Sequence, residues 1–165
     1  MSSVENHERY MRMAIDLACS EIGQKEGRPF GAVIVKDGKV LGSGANRAIF
    51  DNDPTAHAEI VAIRDACRKL QSYRLDGSVM YSSCEPCPMC LSAMYWAGIK
   101  ELYFGTSSQI ADHYGFGDRL LYGELCKAAE SRELKAVQLL ENEALAAFEA
   151  WVKAGGTVDS VTDWK

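Results

Sequence analysis

Apolar positions recur at helical spacing over residues 7 to 22, with Tyr10, Met13, Ala14, Leu17, Ala18 and Ile22 on one stripe. The stretch "GQKEGRP" breaks that pattern. "FGAVIVK" is a β-branched run, Asp37-Gly38 is a two-residue hairpin turn, and "KVLGSGAN" returns antiparallel to it. After a loop at Asp51 to Pro54 comes a helix from Thr55 to Leu70, with Ile60, Ile63, Cys67 and Leu70 on its apolar face. "GSVMYSS" reads as a strand, "PMCLSAMYWA" as a helix closed by Gly98, and "KELYFGT" as a further strand. Beyond Thr106 the pattern weakens to a glycine-rich loop, a helix near 119–129, a strand at 136–140 and a helix near 143–153, with an irregular end. Two antiparallel strands followed by helix, strand, helix and strand imply a mixed central sheet with helices on both faces. The expected fold class is three-layer α/β/α.

The chain of 165 residues suits a single domain. Its balance of 47% hydrophobic and 25% charged residues is that of a folded globular protein. The polar start "MSSVENHERY" does not read as a secretory signal, and no apolar run suits a membrane span. The expected location is therefore the cytoplasm. There, clustered cysteines among the six present point to metal or chemistry rather than to disulfides. A net charge of −5 lowers the expectation of a nucleic-acid partner and favours a small ligand. Cys19, Cys67 and Cys126 fall within helices and are expected in the core.

The chemistry concentrates in two stretches. "NDPTAHAEIVAI" places His57 and Glu59 two positions apart where a helix begins, and "CEPCPMC" places Cys87 and Cys90 at the C-x-x-C spacing. Pro88 suits the first turn of the helix that follows Cys87. If both loops open at one sheet edge, one imidazole and two thiolates make three ligands for Zn2+ and leave a fourth position for water. Glu59 can then take a proton from that water without ligating the metal. Cys84 leaves an alternative open, because as a fourth ligand it would close the site into a structural zinc centre. It can equally end its strand as a small buried residue.

His57-Ala58-Glu59 followed by Pro86-Cys87-Pro88-Met89-Cys90 is the signature of zinc nucleobase deaminases. The chain resembles the cytidine-deaminase-like superfamily, and within it the bacterial guanine deaminases, across "RPFGAVIVKDGKV", "NDPTAHAEIVAIR", "SCEPCPMCLSAMYWA" and more loosely "YGFGDRLLY". That resemblance implies hydrolysis of guanine to xanthine and ammonia, as in purine catabolism or salvage. It implies zinc on His57, Cys87 and Cys90, with Glu59 as proton shuttle. It also suggests substrate contacts from Asn46, Asp118, Phe30, Trp96 and the backbone N–H of Ala58. A homodimer is the family expectation, with residues 143–165 a lid or an exchanged segment and Trp164 near the site. The open alternatives are a cytosine, guanosine or triazine deaminase, a tRNA adenosine deaminase, or a structural zinc module without turnover.

Overall fold

The computed structural model describes residues 3–23 and 27–157. Two compact units make up the chain, Met1–Arg119 and Leu120–Lys165. In the first, helix α1 (Ser3–Ser20) precedes strands β1 (Gly31–Lys36) and β2 (Lys39–Ala45). These are followed by α2 (Ala58–Leu70), β3 (Val79–Cys84), α3 (Pro88–Ala97), β4 (Glu101–Thr106) and the short α4 (Ser108–His113). The sheet has the order β2-β1-β3-β4. β1 is antiparallel to both its neighbours, and β3 is parallel to β4.

The expected hairpin forms where the aspartate–glycine pair sits. Asp37 and Gly38 have φ of 50° and 73°, the left-handed pair that a tight hairpin needs. Because β2, β3 and β4 run the same way, their C-terminal ends share one edge with the start of β1. Every connection that carries a motif residue leaves from this edge.

Strand alternation distributes side chains to two layers. Val33, Val35 and Tyr81 pack with Tyr10 and Ala14 of α1, while Ala32, Ile34 and Met80 pack with α2 and α3. This is the expected α/β/α sandwich with a mixed sheet. In α2, however, the most deeply buried stripe is Ala58, Ala62 and Ala66, each fully buried, rather than the larger residues expected there. Of the larger residues, Ile60 is buried as expected, but Ile63 and Cys67 are only partly buried and Leu70 is 45% exposed.

The cause lies in β2. A Cβ at Gly42 would stand 2.5 Å from the Ala62 carbonyl oxygen, and one at Gly44 would stand 2.7 Å from that of Ala58. Helix and strand approach so closely that only glycine fits on one side and alanine on the other. The opposite face repeats the device, since a Cβ at Gly31 would lie 2.3 Å from the Ala14 carbonyl oxygen.

Other expectations are corrected. α1 ends at Ser20, which leaves Ile22 outside it and 66% exposed. Cys19 and Cys126 are exposed rather than in the core. The segment after Thr106 contains α4, whose N-cap Ser107 accepts a hydrogen bond from the Ile110 N–H.

The second unit contains the greater part of α5 (Arg119–Cys126), a 3-10 turn at Ala129–Ser131, and α6 (Glu141–Lys153). No strand forms at 136–140: these residues are exposed and pair with no neighbour, and a strand pattern without a partner ladder has nothing to hold it. Trp164 lies outside the described residues.

Substituting Gly44 by Val is expected to cost about 1–3 kcal/mol through overpacking against α2. A urea midpoint equal to that of the wild type would show that the strand–helix approach has slack.

Candidate metal centre

His57 and Cys87 occupy equivalent places in two helices. Each is an N-cap with extended backbone, φ and ψ being −67° and 158° for His57 and −67° and 167° for Cys87. Neither side chain caps its own helix, so both are free to turn toward a shared point. Cys90 follows Cys87 by three residues on the first turn of α3 and is fully buried.

The three donor atoms converge. Cys87 Sγ lies 3.5 Å from His57 Nδ1, Cys90 Sγ lies 3.6 Å from it, and the two sulfurs are 3.6 Å apart. A tetrahedral zinc with Zn–S of about 2.3 Å and Zn–N of about 2.0–2.1 Å calls for edges of roughly 3.8 Å and 3.6 Å. The donor set fits the ion in number, type and spacing. Among the described residues this is the group of His, Cys, Asp and Glu side chains whose ligand atoms gather in that way. Cys84 stands outside the group; it ends β3 as a buried residue, and its thiol is pushed up to about 11, by burial first and then by the nearby Glu59 charge.

The electrostatics suit a cation. The Cys87 thiol is held down to about 4, chiefly by its hydrogen bond with Cys90 and then by His57. Cys90 is driven in the opposite direction by the same hydrogen bond and by burial beside Glu59. His57 is raised by its contact with Cys87. The α3 N-terminus adds a dipole that favours negative charge at this position.

Glu59 is 6% exposed, and burial raises its proton affinity above that of an ordinary glutamate. One carboxyl oxygen, Oε2, is 3.4 Å from Cys90 Sγ, while Oε1 accepts a hydrogen bond of 3.1 Å from Ser82 Oγ.

The approach to His57 is braced from outside. Asp53 accepts hydrogen bonds from the Thr55 N–H and hydroxyl and from Arg64 of α2. These hold its carboxyl at about 2, with the Thr55 hydroxyl the largest influence. The approach to Cys87 is braced likewise: the Glu85 N–H donates to the Thr106 carbonyl, and its carboxylate accepts from the Ser108 N–H.

The remaining sequence candidates divide. Asn46 is buried at the end of β2; its N–H donates to the Phe30 carbonyl, and its Oδ1 accepts from the Ala48 N–H. The side-chain amide hydrogens are therefore what Asn46 has left to offer a ligand. Phe30 stands edge-on to Phe116 at 5.0 Å, and Arg28 covers that ring at 5.8 Å.

Asp118 has a buried Oδ1 without a hydrogen-bond partner. Its carboxyl is raised by burial and then by the Cys87 charge, which puts it in the field of the candidate metal ligands. Ala58 is the first residue of α2, where an N–H has no partner within the helix. Trp96 is 65% exposed near the C-terminal end of α3, at the opposite end from Cys87. Sequence reasoning missed Ser82, Glu85, Arg28 and Phe116. For Ser82 a signal existed, namely a polar residue between Met80 and Cys84 on the buried register of β3.

The sequence profile of the cytidine and deoxycytidylate deaminase zinc-binding region matches residues 4–106. The guanine deaminase of Bacillus subtilis is 47% identical over 146 residues, which cover 88% of this chain and 94% of that protein. The X-ray structure of guanine deaminase from Bacillus subtilis superposes with a TM-score of 0.85 at 44% identity, covering 93% of this chain and 96% of that one. The tRNA-specific adenosine deaminase of Haemophilus influenzae is 43% identical, but over 62% of this chain and 60% of that protein.

Replacing His57 or Cys90 by Ala is expected to abolish zinc retention, whereas Cys84→Ser keeps full occupancy; metal analysis of the purified variants checks both. Loss of zinc from Cys84→Ser would mean a closed four-ligand site. A second expectation concerns pH. A carboxyl held below its ordinary value stabilises the fold above that value and ceases to do so as pH falls through the depressed one. The urea midpoint of Asp53→Asn should therefore lie below that of wild type near neutral pH, and the gap should close as pH drops from about 4 toward 2. A constant gap would show that the Asp53 charge plays no part.

Proposed function

Because the chain belongs to the cytidine and deoxycytidylate deaminase zinc-binding family, we propose that it is a zinc-dependent hydrolytic deaminase and that its substrate is guanine, released as xanthine and ammonia. The observation that carries the choice of base is the extent of likeness. Identity to a guanine deaminase continues over nearly the whole of both chains, while the tRNA adenosine deaminase match stops at about 60% of each.

His57, Cys87 and Cys90 hold the zinc ion. When bound, the ion supplies a water whose pKa is lowered toward ~7. Glu59, buried and raised in proton affinity, is the group that takes one water proton at its carboxyl and gives it to the ring nitrogen beside C2, then takes the second from the added hydroxyl and gives it to the departing exocyclic amine. Water adds at C2, the C2–N bond breaks, and ammonia leaves.

Asn46 offers its amide N–H to an acceptor on the base. The unpartnered Oδ1 of Asp118 takes a ring N–H, since a buried acceptor left alone is costly. Phe30 lies against the base, and the Ala58 N–H at the start of α2 orients substrate or water.

The working assembly is a homodimer in the cytoplasm. The dimer is supported by exposed apolar side chains within the unit Leu120–Lys165, among them Leu134, Val137 and Phe148 at 78%, 80% and 71%. Trp96 belongs to a subunit contact on this reading. The proposed role of the C-terminal segment 143–165 is that of a lid or exchanged arm; residues 158–165 of it lie outside the described residues. The partner is a small-molecule nucleobase, with no nucleic acid and no membrane; among the described residues no helix is long and apolar enough to cross one.

Zinc-loaded protein incubated separately with guanine, guanosine, cytosine and adenine is expected to release ammonia rapidly from guanine alone. Release from another base instead would keep the hydrolytic chemistry and overturn the substrate. Glu59→Gln is expected to keep zinc and lower kcat by at least ~10²-fold. Near-normal turnover in that variant would remove Glu59 from the reaction.

A further inference from the structure

We propose that Ser82 is a positioning residue for the reaction: it fixes the rotation of the Glu59 carboxyl so that one oxygen faces the sheet and the other faces the metal ligands. This rests on the reading of Glu59 as the proton-carrying group. Ser82 lies on β3 between Met80 and Cys84, on the register that faces α2 and α3, and it is 2% exposed. A hydroxyl in that place must find a partner or carry a desolvation cost. It finds one 23 residues away in sequence, donating 3.1 Å to Glu59 Oε1.

The chemistry of a carboxyl gives that bond its consequence. The terminal torsion of a glutamate joins an sp³ to an sp² atom, and its energy well is broad rather than staggered. Burial of Glu59 by itself does not choose which oxygen points where. Ser82 has a single hydroxyl hydrogen, and by spending it on Oε1 it makes that oxygen an acceptor on the sheet side. Oε2 is thereby left on the side of the ligand set, 3.4 Å from Cys90 Sγ. The strand fixes Ser82 in turn, since residue 82 pairs with Ala32 of β1 and Phe104 of β4 and is held from both sides. A proton carrier mounted on a helix is therefore aimed by an interior strand.

The test is Ser82→Ala, which removes one oxygen and leaves the volume nearly unchanged. Zinc content is expected to match wild type and the melting temperature to fall by no more than a few degrees, as the loss of one buried hydrogen bond requires; KM for guanine should stay within about twofold and kcat fall by roughly 10- to 100-fold. A crystal structure of the zinc-loaded variant is expected to show the Glu59 carboxyl rotated or in more than one orientation. Ser82→Thr, which keeps the hydroxyl, should recover most of kcat; if its extra methyl prevents folding, the kinetics and structure of the Ala variant decide alone. An unchanged kcat in Ser82→Ala, or a Glu59 carboxyl that keeps its orientation there, overturns the proposal. Glu59→Gln separates the two readings. If it retains turnover, the proton-carrier role is wrong whatever Ser82 does. If it is inactive while Ser82→Ala is normal, only the positioning role is wrong.

Discussion

The distance at which α2 crosses β2 is the constraint from which the site follows. Gly42 and Gly44 present bare backbone to Ala58, Ala62 and Ala66, and any side chain there would meet a carbonyl oxygen inside contact distance. That approach sets where α2 begins, and α2 begins with His57 as its N-cap and Glu59 on its first turn. The sheet carries the position onward. β1 pairs with β2 and β3, so the edge where β2 ends is also the edge where β3 delivers Cys87. Ligand spacings of 3.5–3.6 Å thus depend on a helix–strand contact made by some of the smallest residues in the chain.

The same edge concentrates negative charge. The Cys87 thiolate, Glu59 and Asp118 lie close enough for each to affect proton binding at another: the Cys87 charge raises both carboxyls, although burial is the larger cause for each. Such a cluster is unfavourable by itself, and a divalent cation is its natural complement. The surrounding hydrogen bonds differ in kind. Asp53 and Glu85 brace the loops from outside with ordinary loop geometry, whereas the Ser82 bond to Glu59 lies inside the protein. Loop braces decide where the ligands sit, and the interior bond decides how the buried carboxyl is turned.

Several elements and the three candidate ligands were legible from local pattern because their signals are short-range. The Asp37-Gly38 turn, the Pro88 start and Gly98 end of α3, and the H-x-E and C-x-x-C spacings each depend on residues a few positions apart. The buried stripe of α2 was misread because periodicity rewards large apolar side chains, while the actual contact selects small ones. The strand expected at 136–140 failed for the complementary reason: a β pattern is a request for a neighbour, and none is paired there.

By itself, then, the sequence determined the chemical inventory, namely one imidazole, two thiolates and a carboxylate, each at the opening of a helix. Local backbone preferences and ligand spacing act over a few residues and need no fold to be read. Tertiary structure alone decided that His57 and Cys87, thirty positions apart, meet at 3.5 Å. It decided that Cys84 stands outside that group. It also decided that a serine on an interior strand holds one oxygen of Glu59. Those facts depend on strand order and on how closely layers pack, and both are set by contacts between residues that are distant in the chain.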